Sequence, residues 1–140
     1  MSDHVTPPAV APFRRMSPDC IIFSGVVALD GTRPVVADID GEIAQVLRNV
    51  DQLLAAAGTS PDHIVSVRAY LTSVEHFRGW DRAWNDFFAG RPLPTRSTFF
   101  VGLHPPFNVE VEVIANQSSI AAGVATRFRR SPAPTEGTSG

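Results

Sequence analysis

The stretch PTRSTFFVGLHPPFNVEVEVIA, residues 94–115, combines charged side chains with two short apolar strands in an arrangement that could support chemistry. Arg96 stands near its start, and Glu110 and Glu112 stand near its end. Alternate residues of a strand share one face, so we expect both carboxylates on the same side, within reach of Arg96. A guanidinium presents a planar fork of donors that suits a small carboxylate ligand. The stretch is therefore a candidate binding site.

The same three residues also permit a purely structural interpretation. Arg96 could be a loop arginine in water, and the glutamates could belong to a solvated sheet face or to a salt bridge. The preceding PLPT segment, residues 92–95, favours the binding interpretation, because it places Arg96 rigidly at the mouth of a strand.

Several other kinds of chemistry have little support. All 12 basic residues are arginines, so Schiff-base catalysis and covalent attachment of pyridoxal phosphate through a lysine are excluded. The sequence lacks the GxSxG, GxGxxG and P-loop patterns of hydrolase elbows and nucleotide sites. Its four histidines lie in separate regions without an HExxH motif, so we expect no metal site. Cys20 fits a packed thiol better than a nucleophile.

Length and composition predict one domain. The chain has 140 residues, 44% of them hydrophobic, and a formal net charge of -2 without a basic run in its body, which argues against nucleic acid as the main partner. Neither a signal peptide nor an apolar run of membrane-spanning length is evident, so we expect a cytoplasmic protein. We assign residues 1–10 to an irregular segment, 11–118 to the domain, and 119–140 to an extension with a disordered end and a short basic patch, RFRR.

The hydrophobic pattern predicts strands, a helix, a strand, a helix and two final strands. The predicted strands are 13–17, 20–28 and 64–72, followed by STFFVG and NVEVEVIA, with a hairpin at LDGT. The first helix begins at Asp38 or Asp40 and ends at Gly58, and the second runs from its cap at Ser73 through Phe88 with an aromatic stripe in the core. This order favours an α+β fold with both helices on one face of a mixed sheet.

The alternation of two strands predicts what each sheet face carries. Val65, Val67, Ala69 and Leu71 should face the helices, as should the valines of the last strand. The opposite face then holds Arg68, Tyr70, Glu110, Glu112, Ile114 and either Phe99 or Phe100. Such a mixture of charged and apolar side chains is typical of an oligomer interface with polar pockets.

Over about residues 8–116 the sequence resembles the RidA/YjgF family of imine and enamine deaminases. Its pieces stand in the family's order: APF before the first strand, IIFSG (21–25), QVLRNVDQLLAAAG (45–58), VSVRAYLTSVEHF (65–77), PTRS (94–97) and VEVEVIA (109–115). PTRS followed about a dozen residues later by a strand with the pattern Glu-hydrophobic-Glu is the most specific of them.

The resemblance implies a fold, an assembly and an activity. The fold would be the chorismate mutase-like α+β sheet, and three copies would pack their bare faces together with sites in the clefts between subunits. The activity would be hydrolysis of small 2-imino or enamine acids, such as 2-aminoacrylate, to 2-keto acids and ammonia without a cofactor. Arg96 would bind the substrate carboxylate, and Glu112 would orient or deprotonate the attacking water and help stabilise the cationic imine. Glu110 would serve the subunit contact.

Further residues are expected at the site by the same resemblance. Ser24, Gly25 and Thr98 would line the ligand, with Gly25 and Thr98 offering backbone groups. Three positions depart from the family pattern: Phe13 replaces a tyrosine, Thr98 a cysteine and Asp81 an asparagine. The loss of a hydroxyl and the added charge could adapt the pocket to a larger or less polar imine or enamine.

Three alternatives to a deaminase of small 2-imino acids remain. One is a non-catalytic module that binds keto acids for regulation, and another is a specialised deaminase of a larger enamine in a catabolic pathway. The third, RNA cleavage, has been attributed to relatives but is the least attractive, because the chain has few basic residues.

Overall fold

The computed structural model describes residues 9–117. The elements, in chain order, are β1 (Phe13–Ser17), β2 (Cys20–Phe23), β3 (Leu29–Asp30), β4 (Arg33–Pro34), α1 (Ile39–Ala56), β5 (Ile64–Leu71), α2 (Phe77–Phe87), β6 (Thr95–Phe100) and β7 (Val109–Asn116). The predicted α+β class with two helices and a mixed sheet is confirmed. Most of the predicted N-terminal segment and the whole of 119–140, with its RFRR patch, lie outside the described residues.

The main sheet has five strands in the order β1-β2-β7-β5-β6, and β3 and β4 form the separate hairpin predicted at LDGT. β6 runs parallel to β5, whereas the other neighbours are antiparallel. β6 and β7 follow each other in the sequence but do not pair, because β5 lies between them. Arg96 is therefore on an edge strand, and the two glutamates are on the central strand.

The helices cover one face of this sheet. Asp38 caps α1 by accepting a hydrogen bond from the Gly41 N–H at 2.8 Å, and Gly58, at a φ of +79°, ends the turn that follows the helix. The strands contribute alternate side chains to the core, as β7 does with Val109, Val111, Val113 and Ala115. Trp80 of α2 is completely buried among them. Among residues 9–117, neither helix is long and apolar enough to cross a membrane.

Three details of the predicted elements are wrong. Val65 is exposed rather than core, because the pairing of β5 with β7 shifts between Ile64 and Ser66 and gives the buried position to Ile64. The second helix begins at Phe77, and Ser73 caps only the short 3-10 turn Val74–His76, so the buried stripe starts at Trp80. The strand predicted over 20–28 ends at Phe23.

A buried carboxylate fixes the start of β7 against α1. Glu42 is 5% exposed and accepts two hydrogen bonds from Asn108, from its backbone N–H at 2.8 Å and its Nδ2 at 3.0 Å. The side chain of Asn108 also accepts a hydrogen bond from the Thr72 hydroxyl. The proline-rich turn after β6 is thereby anchored at the point where the chain enters its central strand.

Candidate functional site

Arg96 is held by side chains of α2. Its Nη1 donates to Asp81 Oδ1 at 2.8 Å, and its guanidinium carbon lies 5.0 Å from the ring centroid of Trp84 and 5.7 Å from that of Phe77. The side chain is 27% exposed, so the guanidinium is neither buried nor free in water. An ion pair and two cation–π contacts together restrict the orientation of the fork and leave part of it accessible.

Thr98 lies on the same face of β6 as Arg96. It lies two residues beyond Arg96 on β6 and is half-buried. Its partner on β5 is Ala69, whereas that of Arg96 is Val67, and both partners are buried under the helices. Paired residues of neighbouring strands point to the same face, so Arg96 and Thr98 both face the helix side of the sheet edge.

Glu112 lies on the opposite face of the sheet. Its Oε1 accepts a hydrogen bond from the Tyr70 hydroxyl, and Arg68 of β5 is the residue directly opposite it in the β5–β7 pairing. The hydrogen bond to Glu112, together with burial, raises the pKa of Tyr70, so the phenol remains a donor. Glu112, Arg68 and Ser66 line a hollow of about 190 Å³ on this open face.

Glu110 is half-buried and lies directly against Gly25. A Cβ at position 25 would lie 2.8 Å from the carboxyl carbon of Glu110, so a side chain there would displace this carboxyl group. Burial, and secondly the charge of Glu112, raises the pKa of Glu110. A carboxyl group with a raised pKa is better suited than an ordinary glutamate to exchange a proton with water near neutral pH.

Phe13 and Ser24 meet at the other edge of the sheet. The ring of Phe13 packs against that of Phe23 at 5.7 Å between centroids. The Ser24 hydroxyl donates to the carbonyl of Ala11 at 2.6 Å, which fixes the chain before β1. Phe13 and Ser24 line one hollow of about 410 Å³.

The predicted residues thus form separate groups within one chain. Arg96, Asp81 and Thr98 are at the β6 edge, Glu110, Glu112 and Gly25 are on the open face, and Phe13 and Ser24 are at the β1 edge. β1 and β6 are separated by four strand spacings, or about 19 Å. The expectation that both glutamates lie within reach of Arg96 is therefore wrong for a single chain. The reason is the register of β6 on β5, which pairs Arg96 with the buried Val67 and turns it towards α2.

Two contacts of the site residues were not predicted. The sequence predicts Tyr70 on the same face as Glu112, but not the hydrogen bond that Tyr70 donates to it; the shared face is the signal available for that contact. The aromatic stripe of the second helix predicts Trp84 in the core, and its ring also packs on the guanidinium of Arg96. That contact joins a helix to an edge strand, and local sequence gives no signal for it.

A metal site was not expected from the sequence. Among residues 9–117, no cluster of three or more histidine, cysteine, aspartate or glutamate side chains has a geometry that could hold a metal ion.

Comparison with known proteins gives a consistent family. The chain matches the family model described as Endoribonuclease L-PSP over residues 5–117. It is 30% identical over 96 residues to a RutC family protein of Aquifex aeolicus, covering 66% of this chain and 75% of that protein. It is similar to YyfA of Yersinia pestis, a Rid family protein of unknown function, with a TM-score of 0.74, 29% identity, and coverage of 79% of this chain and 90% of YyfA. For the E. coli YjgF gene product, the TM-score is 0.73 and the identity 25%, covering 80% of this chain and 91% of that one.

Proposed function

Because the chain belongs to the RutC/RidA (YjgF) family, we propose that it is a cofactor-free deaminase that hydrolyses small 2-imino acids and their enamines to 2-keto acids and ammonia. The observation that carries the proposal is Arg96, a guanidinium oriented by Asp81 and Trp84 at an accessible sheet edge. A carboxylate-binding group held in one orientation lowers the entropic cost of placing a substrate.

Hydrolysis of a protonated imine requires the protein mainly to position the substrate and one water. In the protonated imine the carbon bound to nitrogen is already electrophilic, so water can add to it directly. The balance is R–C(=NH2+)–COO− plus H2O giving R–CO–COO− plus NH4+. The site must hold the carboxylate, place one water, and move a proton from that water to the departing nitrogen. In the proposal, Arg96 performs the first of these tasks.

The two glutamates divide the remaining tasks. We assign Glu112 to orienting the water and stabilising the cationic imine, because the hydrogen bond from Tyr70 holds its carboxylate in place. The resemblance implies only a subunit contact for Glu110, but we assign it the proton transfer as well, because its carboxyl group has a raised pKa and lies against Gly25. The backbone of Gly25 and Thr98, with Phe13 and Ser24, would complete the lining.

The separation of these groups within one chain supports a site built between copies. A head-to-tail interface can bring the β6 edge of one copy to the open face and β1 edge of the next, and it forms a three-membered ring when successive copies are related by a rotation of about 120°. The open face carries Phe99 stacked on Tyr70 at 5.4 Å, together with exposed Ile22 beside the carboxylates. We propose a homotrimer in which each small-molecule site lies between two subunits.

The experiment generates 2-aminoacrylate from serine with a dehydratase and follows the disappearance of the imine. Wild-type protein should accelerate it, and Arg96→Ala should reduce the acceleration about 100-fold, because the substrate loses its anchor. Arg78→Ala, at an exposed position of α2, is the matched control and should behave as wild type. Binding of a keto acid without acceleration of any imine tested would instead favour the non-catalytic module.

Light scattering tests the assembly. A trimer is expected, and a monomer at micromolar concentration would leave the Arg96 edge without the glutamates it requires.

RNA cleavage, which the family model's description names, has less support in this chain: its net charge is -2 and Arg68 shares the open face with two glutamates. A larger enamine as the substrate would be recognised by faster turnover than 2-aminoacrylate in the same assay.

A further inference from the structure

Asp81 forms an ion pair with the arginine that we propose to bind the substrate acid. Its carboxylate already pairs with Arg96, with Oδ1 at 2.8 Å from Nη1. The Asp81 side chain is 43% exposed and that of Arg96 is 27% exposed, so both groups border the accessible edge. The formal charges of the pair cancel, and an incoming anion therefore meets a neutral pair rather than a net positive charge.

The pair also restricts where a ligand can bind. Nη1 donates to Asp81, and the rings of Trp84 and Phe77 lie against the guanidinium. A ligand carboxylate is left with the remaining donors of the fork. There its oxygens would come close to the Asp81 carboxylate, and two like charges about 5 Å apart on a partly exposed surface weaken binding about tenfold.

Ligands of different charge experience this arrangement differently. A 2-keto acid carries only the carboxylate, which Arg96 attracts and Asp81 repels. A protonated 2-imino acid carries the same carboxylate and a cationic nitrogen on the adjacent carbon, so it can complement both members of the pair. Resting on the deaminase function proposed above, we propose that Asp81 makes the site select zwitterionic 2-iminium acids over anionic 2-keto acids.

This selection would follow the course of the reaction. Hydrolysis removes the cationic nitrogen as NH4+ and leaves the monoanionic keto acid. At that step Asp81 loses its partner in the ligand, and the product is bound by Arg96 against a neighbouring negative charge. Asp81 would thus favour release of the product without weakening the binding of the substrate.

A purely supporting role for Asp81 predicts a different result. If the carboxylate only holds Arg96 in position, Asp81→Asn should weaken every acid ligand or leave it unchanged. If the charge discriminates between ligands, the same substitution should strengthen the binding of the keto acid. The asparagine retains an oxygen that can accept from Arg96, so the arginine keeps its support.

Titration calorimetry on the full chain separates the two roles. The probes are pyruvate, an anion, and L-alanine, a zwitterion with the same number of carbons. Asp81→Asn should bind pyruvate about tenfold more tightly than wild type and should not gain affinity for L-alanine. Asp86→Asn removes an equal charge from an exposed position of α2 and should change neither affinity. The proposal is overturned if Asp81→Asn shows unchanged, weaker or undetectable pyruvate binding, an equal gain for L-alanine, or a gain that Asp86→Asn reproduces.

Turnover measured on the same variants distinguishes this proposal from the deaminase function. Product inhibition by pyruvate during 2-aminoacrylate hydrolysis should strengthen about tenfold in Asp81→Asn, in parallel with the calorimetric affinity. Acceleration of imine loss with pyruvate inhibition unaltered would remove the role of Asp81 alone. The absence of acceleration in all variants, with the calorimetric difference present, would remove the deaminase function while the charge selection stands.

Discussion

The β6 edge and the open face of β7 differ in how many partners a single chain supplies for their charged side chains. At the edge, Arg96 has an ion partner and two aromatic contacts from α2. On the open face, Glu110 and Glu112 lie side by side, and the Tyr70 hydroxyl donates a hydrogen bond to Glu112. The contrast indicates that the proposed acid-binding group is positioned by its own chain, whereas the proposed hydrolysis would also require a partner against the open face.

The strongest test of this contrast replaces the two glutamates separately. Glu110→Gln should lower kcat about 1000-fold, because it removes the group that accepts the proton, while pyruvate affinity stays within about twofold. Glu112→Gln keeps a side chain that can accept from Tyr70 and should lower kcat less, by about tenfold. Stopped-flow turnover with calorimetry on the same samples measures both. A larger loss in Glu112→Gln than in Glu110→Gln would reverse the division of roles.

How far the sequence could predict these two regions depends on the range of the contacts involved. The alternation of β7 and the cap at Asp38 are local, and both are confirmed. The open face was also predicted, and the register now shows that Phe99, stacked on Tyr70, is the phenylalanine that it carries. The position of β5 between β6 and β7 is a long-range property, and it decides which face Arg96 occupies.

A single-residue irregularity shows the same limit. Strict alternation predicts Val65 as buried, but the shift of register after Ile64 exposes it. The residue types around Val65 do not indicate this shift. The Arg96–Trp84 contact likewise depends on how α2 crosses the sheet. The resemblance to a family supplied the residues of the site, but their arrangement in separate groups required the strand order.

The second prediction uses the anchor of β7. Glu42→Ala should lower the free energy of unfolding by about 3 kcal/mol, because it removes a buried carboxylate that accepts two hydrogen bonds and leaves the Asn108 donors without it. Glu42→Gln retains one acceptor and should lose about half as much. Urea unfolding followed by tryptophan fluorescence measures both. Equal stability of the alanine variant and wild type would mean that the start of β7 needs no anchor.

The third prediction concerns the glycine that the open face requires. Gly25→Ala should lower kcat about tenfold, because the new Cβ would meet the Glu110 carboxyl group at 2.8 Å and displace it. The change leaves the contacts of Arg96 with Asp81 and Trp84 intact, so pyruvate affinity should fall much less than kcat. Gly102→Ala is the matched control, since nothing lies within 4 Å of a Cβ at that position. A parallel loss of pyruvate binding would show that the two regions are not independent.

The smallest expected effect is a pH dependence that belongs to the open face. Burial, and then the charge of Glu112, raises the pKa of Glu110 in the folded chain above its ordinary value of 4.5. Between these two pKa values the folded state binds more protons than the unfolded state, so the contribution of Glu110 to stability is full below pH 4.5 and is lost as the pH rises through the folded pKa. Glu110→Gln removes this contribution. Its melting temperature should therefore rise relative to that of wild type as the pH increases above 4.5, by a few degrees at most. Glu75→Gln, an exposed residue in the turn before α2, controls for the loss of one negative charge. If the two variants give the same difference from wild type at every pH, the carboxylate of Glu110 is as well solvated as that of the exposed Glu75. Its burial would then contribute nothing to the pH dependence of stability.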